Sequence, residues 1–151
     1  MQVAHQALAF ALLGPFALQL QHTLVLPVQL LFTLRQLQAQ FPTIGDISIN
    51  SSGGVQTYVV IAMKPRYEGE ARQAILATMA GNLHPKWVIA VDPDIDIRNP
   101  AEVEWAQSFR VKPSQDVFVV DRTAAAPLDP YTNGGYSSSV GIDATRPFQI
   151  D

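Results

Sequence analysis

The chain has 151 residues, 48% of them hydrophobic and 15% charged, which suits one globular domain with its own core and leaves too little chain for an independent second one. Ten Lys and Arg against 13 Asp and Glu give a net charge of −3 with no basic run that could neutralise a phosphate backbone, so nucleic acid is not an expected partner. The absence of cysteine excludes disulfides, thiolate metal sites and cysteine nucleophiles, and fits a reducing compartment, with the cytoplasm as the expected location.

Residues 1–34 contain no Asp, Glu, Lys or Arg and include two apolar blocks, ALAFALLGPFAL and LVLPVQLLF. A membrane span needs about 20 consecutive apolar residues. Here Gln19, Gln21, His22 and Thr23 interrupt the run, and Pro15 and Pro27 would kink or break a helix, so a membrane span is not expected. A secretory leader wants positive charge at its start, yet the first basic residue is Arg35. The sequon N-S-S at residues 50–52 therefore reads as a turn. The segment is expected to form one or two helices whose apolar faces need a partner surface, in the same chain or another.

From Leu34 onward the periodicities are those of an α/β domain. LRQLQAQF spaces Leu34, Leu37 and Phe41 along one helical face, which Pro42 ends. DISIN alternates as a short strand, SSGG turns the chain, and VQTYVVIAMK supplies a longer strand, so these two are expected to form a hairpin. EGEARQAILATMAGNL places Ala71, Ile75, Met79 and Leu83 on one stripe, with Glu68 and Glu70 near the helix start, where the dipole favours them. KWVIAVD reads as a buried strand, Asn99 and Pro100 as an N-cap and first-turn pair opening a helix to about Phe109, and DVFVVD as the last strand. Beyond Arg122 the Pro, Gly, Ser and Asn content predicts a long C-terminal loop. The expected fold is α/β, a partly parallel sheet flanked by helices, with an apolar helical N-terminal segment.

The stretch VDPDIDIRNPAEVEWA puts Asp92, Asp94 and Asp96 at alternating positions after an apolar run. A calcium loop starting at Asp92 would need Gly and Glu where Ile97 and Val103 stand. Zinc would need clustered His, but His5, His22 and His84 are scattered, so no metal site is expected. Asp94 and Asp96 would lie at the carboxyl end of a strand, where open α/β sheets bind ligands, so a paired-carboxylate mechanism stays open. The plainer reading is that these side chains bond turn amides and the start of the next helix, or pair with Arg98 and Arg110. GGYSSSVG offers serines but no G-x-S-x-G elbow, no His follows His84, and neither phosphate-binding glycine motif occurs, so nothing points to a hydrolase or a nucleotide-binding enzyme. An anion could still meet backbone amides of GGYSSS, although a solvated turn explains it as well. Trp105, Tyr131 and Tyr136 read as packing residues or as ligand contacts.

VIAVDPDIDIRNPAEVEWAQSFRVKPSQDVFVV, followed by PLDP and GIDAT, closely resembles the carboxyl-terminal domain of the UbiD-like decarboxylases, carboxy-lyases that use prenylated flavin mononucleotide. The resemblance runs from about Leu34 to Pro147, which divides the chain into residues 1–33, unlike the family, and a UbiD-like domain over 34–151. It implies that the D-x-D-I-D-I segment links a strand to a helix and is not the catalytic carboxylate set. The family's catalytic arginine and glutamates, and the metal ligands for the cofactor phosphate, belong to a preceding flavin-binding domain that no segment here matches. Many members read G-S-K-M-G-I-D-A-T where this chain has SSSVGIDAT, so Ser139 stands in place of a lysine expected near the cofactor phosphate, and a charge-assisted contact is lost.

Two functions follow from the resemblance. One is an assembly or interaction module without catalytic residues of its own, partnered by itself as a homo-oligomer or by a larger UbiD-like subunit and binding no prenylated FMN alone. The other is an active decarboxylase subunit for aromatic or α,β-unsaturated acids that needs a separate flavin-binding chain. By motif position, Ser138, Ser139, Asp143 and Thr145 are the candidates for cofactor contact.

Overall fold

A computed structural model of the chain describes residues 26–50, 56–127, 129–132 and 134–148. The apolar sequence before residue 26 and the SSGG turn lie outside the described residues. In chain order the elements are α1 (Leu26–Gln40), β1 (Ile44–Ile49), β2 (Tyr58–Met63), α2 (Glu70–Ala80), β3 (Trp87–Val91), α3 (Pro100–Arg110), the single turn α4 (Pro113–Asp116), β4 (Val117–Ala124) and β5 (Tyr136–Ala144).

The division expected between residues 33 and 34 falls inside α1, which runs through both. Pro27 does not break this helix, because it sits in the first turn, where its missing N–H has no partner to lose. Leu37 and Phe41 face the core, and the Phe41 amide still bonds the Leu37 carbonyl at 2.7 Å before Pro42 stops the helix. Among the described residues no helix is long and apolar enough to cross a membrane.

The five strands pair in the order β1-β2-β3-β5-β4. β2, β3 and β5 are parallel, while β1 and β4 close the two edges antiparallel. β1 and β2 form the expected hairpin, in register from Asp46 opposite Ala62 to Ile49 opposite Val59. The C-terminal region departs from expectation. DVFVVD is not the last strand, and the predicted loop contains β5, nine residues in the interior of the sheet. Its sequence, YSSSVGIDA, is poor in strand-forming residues, and pairing with β3 on one side and β4 on the other overrides that propensity. Gly141 has a packing reason. The Phe118 ring of β4 lies over it, and a Cβ at Gly141 would come 2.3 Å from that ring. Arg72 stacks on the same ring, 4.1 Å from its centroid.

Period-2 alternation splits the core between the two sheet faces. One face, with Val59, Ile61, Met63, Val88 and Ala90, is closed by α1 and by the Ala71, Ile75, Met79 stripe of α2, with Leu83 just beyond the helix end. The other, with Val60, Ala62, Ile89, Val91, Ile142 and Ala144, is covered by α3 through Val103 and Ala106 and by Ile95 and Ile97 ahead of it. α3 starts as expected, with the Asn99 side chain accepting from the Ala101 amide at 3.2 Å and Pro100 in its first turn.

α2 is anchored by its first residue. Glu70 is fully buried and accepts from the Arg66 amide at 2.5 Å and from the Arg66 guanidinium at 2.6 Å and 2.9 Å. Burial opposes its charge, but those bonds from Arg66 prevail and hold its carboxyl below the ordinary range.

Candidate functional site

The acidic stretch after β3 is an ion-pair cluster at the carboxyl edge of the sheet. Arg110, nearly buried at the end of α3, donates to Asp92 at 3.1 Å and to both Asp94 oxygens at 3.1 Å and 2.6 Å. Arg146, just past β5, adds a 2.6 Å bond to Asp94, and its amide donates to Asp92 at 2.7 Å. The Arg110 hydrogen bonds, reinforced by Arg146, lower the Asp94 pKa to about 2. A carboxylate held so firmly ionised between two guanidiniums is a poor general base at neutral pH. Asp96 accepts from the Arg98 amide at 2.9 Å, while its own amide donates to Glu102 at 2.8 Å. Pairing with Arg110 and capping of the next helix are thus realised. Arg98 instead reaches across to Asp46 on β1, at 2.6 Å, and holds that carboxyl below its usual range. Among the described residues no group of three or more His, Asp or Glu could hold a metal ion.

The four residues named by motif position fall at two ends of β5. Ser139 is buried near its start. Its hydroxyl donates to the Pro85 carbonyl at 2.8 Å and meets the Thr123 hydroxyl at 2.7 Å. Ser138, its neighbour, points to the opposite face of the sheet. Asp143 and Thr145 lie at the far end, about 13 Å along the strand from Ser139 at ~3.3 Å per residue. Asp143 accepts from the Thr145 amide at 3.1 Å and from its hydroxyl at 2.7 Å. These two line an open pocket of about 200 Å³ with Tyr67, Gly69, Arg110 and Lys112, between the start of α2 and the α3–α4 turn. A larger groove of about 410 Å³, bordered by Ser48, Tyr58, Val60 and Glu104, contains none of the four.

Sequence reasoning missed a second polar centre, at the amino edge of the sheet. Lys86 donates to the buried Asp129 at 2.8 Å, and Asp129 also accepts from the Tyr131 amide at 2.9 Å. The Lys86 bond comes first in lowering the Asp129 pKa. The Lys86 ammonium also lies 5.4 Å from the Tyr131 ring centroid. The pair fastens the loop between β4 and β5. Its only signal in the sequence is an acidic residue inside a Pro-rich turn, 43 residues from its partner.

Residues 22–144 match the family model described as the 3-octaprenyl-4-hydroxybenzoate carboxy-lyase C-terminal domain. The chain is 32% identical over 106 residues to the anhydromevalonate phosphate decarboxylase of Aeropyrum pernix, a match covering 70% of this chain and 24% of that protein. Among solved structures it resembles the UbiD-class enzyme HmfF of Pelotomaculum thermopropionicum in complex with FMN, with a TM-score of 0.71 and 37% identity over 80% of this chain and 26% of that one. The closed form of Sedimentibacter hydroxybenzoicus vanillic acid decarboxylase gives a TM-score of 0.68 and 32% identity over 76% of this chain and 25% of that one. The chain spans about a quarter of the length of the relatives it matches. With the sheet and both its flanking layers inside the matched residues, the chain belongs to the UbiD family as a carboxy-lyase C-terminal domain.

Proposed function

We propose that the chain serves as the assembly and interaction module of a UbiD-type carboxy-lyase and carries no catalytic residues of its own. The reaction of the complete enzyme would be decarboxylation of an aromatic or α,β-unsaturated acid. Vanillic acid and anhydromevalonate phosphate, named for two relatives, illustrate the substrate range. The observation that carries the reading is the state of the charged groups at the carboxyl edge: Asp92, Asp94, Arg110 and Arg146 are bonded to one another, and Asp143 to Thr145.

The residues do not fit a flavin mononucleotide by themselves. Ligand pockets usually enclose ~300–1,000 Å³, whereas the one beside Asp143 holds about 200 Å³ and is open on one side. At the other end of β5, the Ser139 hydroxyl is already bonded to the Pro85 carbonyl. Prenylated FMN would thus be held by a flavin-binding partner, with Asp143 and Thr145 at most closing the edge of its site.

The test is to purify the chain from cells that also make a flavin prenyltransferase, then record its visible spectrum and identify any released ligand by mass spectrometry. A colourless, ligand-free protein is expected. Stoichiometric prenylated flavin would overturn the reading and make the chain a cofactor-binding subunit.

A further inference from the structure

Both ends of α3 are tied to the carboxyl edge of the sheet, the start through Arg98 to Asp46 and the end through Arg110 to Asp92 and Asp94. The helix therefore lies across the upper part of its sheet face and leaves the amino-terminal part bare. The strand registers identify what is left there. Tyr58 stands beside Trp87, Trp87 beside Val140, and Val140 beside Val119, a single rung across four strands with all four side chains on the α3 face. Val117 and Tyr136 flank that rung on the same face. None of these six residues is charged. Trp87 and Tyr136 are 41% exposed, Val117 36% and Val119 66%. Asp121 and Arg122, both exposed, follow at the bulge in β4, where Arg122 adopts a φ of 56°.

We infer that this rung is an isologous interface joining the chain to a second copy of itself, face to face. The inference rests on the assembly reading above and adds the surface that carries it. Two features favour a second copy as the occupant. The first is area. With aromatic side chains worth ~150–250 Å² each, the six residues present about 350 Å² of apolar surface, or about 700 Å² for two copies. The smallest stable interfaces bury about 1,200 Å² in all and are a little over half apolar, so the patch supplies the apolar part of a small, reversible dimer. The second is charge. A two-fold axis lets residue i of one copy meet residue j of the other and the reverse, so adjacent Asp121 and Arg122 at the rim give two complementary pairs from one surface.

The experiment is analytical ultracentrifugation of the full chain over a concentration series, with thermal melts to show that each variant folds. The expected result is a reversible monomer–dimer equilibrium that Val119→Asp weakens about 100-fold, because the interface would then bury an unpaired carboxylate on each side. Phe32→Glu, on the exposed side of α1, should leave the equilibrium unchanged. Asp121→Arg and Arg122→Asp should each weaken association by placing like charges opposite one another, and the double exchange should restore it, an outcome that general loss of surface polarity would not produce. A dimer that survives Val119→Asp but breaks with Phe32→Glu would overturn the inference while leaving the assembly reading intact. A chain that stays monomeric alone, yet binds a larger UbiD-type subunit through Val119, would overturn the second copy as occupant. A chain that is monomeric and binds no such subunit would overturn both.

Discussion

The two faces of the sheet are built from the same kinds of residue and finished differently. On the α1 and α2 face, two helices meet five strands and every central side chain is sealed, with Val59, Ile61, Met63, Val88 and Ala90 all fully buried. On the other face one helix is pinned at the carboxyl edge by ion pairs, and burial stops where the helix stops: Ile89 and Ile142 are covered, while Trp87 and Val119, on the next rung, are not. The difference teaches that the first face carries the fold, whereas the second divides its surface between holding α3 and remaining available to something else.

If that division holds, the largest loss should come from the closed face. Ile75 sits in the middle of the α2 stripe with no exposed surface, so Ile75→Ala should cost about 4 kcal/mol in urea unfolding followed by circular dichroism. A loss under 1 kcal/mol would mean that this face is loosely packed and the contrast between the faces is wrong. Next comes the clamp on α3. Arg110→Met keeps the length of the side chain but leaves Asp92 and Asp94 without their shared cation, and should cost about 3 kcal/mol by the same measurement. Gly141→Ala comes third, at about 2 kcal/mol, because the added methyl must displace the Phe118 ring from under Arg72.

Much of the closed face was legible in the sequence. The Ala71, Ile75, Met79 spacing announced α2, the apolar runs announced β1 to β4, and Asn99-Pro100 announced the start of α3, because each signal is local. β5 was not legible. Three serines and a glycine make a weak strand on their own, and only its neighbours give it a ladder. The site was read half correctly for the same reason. Arg110 and Asp94 lie 16 residues apart around one helix and could be paired by inspection, but Arg146 closes the cluster from 52 residues away. The four motif residues are contiguous in sequence, yet β5 is extended, so contiguity along it separates Ser139 from Asp143 instead of gathering them.

The clamp also has a pH signature that separates it from the apolar core. The Asp94 pKa is about 2 in the folded chain against 3.8 ordinarily, so the native state binds fewer protons between those values and loses stability as pH falls through that window. Because Asp94 is partly exposed, solvent screening reduces its contribution to about 1 kcal/mol. Unfolding curves for wild type and Asp94→Asn should therefore differ by about that amount at pH 6 and converge near pH 2. Parallel curves over the whole range would remove the ionised carboxylate from the account of how α3 is held.

The smallest expected effect tests the bare rung. Val119→Thr exchanges a methyl for a hydroxyl on a side chain that is 66% exposed, and both residues suit a strand equally. In a dilute sample, where the chain is monomeric, unfolding should change by less than about 0.5 kcal/mol, as for most surface substitutions. The same change at Val88, whose register partners Val59 and Gly141 lie on the closed face, should cost several times more, because the buried hydroxyl finds little to bond there. The ratio of those two costs measures how differently the two faces are finished, independently of whether anything docks on the bare one. A ratio near one would mean that Val119 is covered in solution by part of its own chain, and the bare rung would then be a closed one.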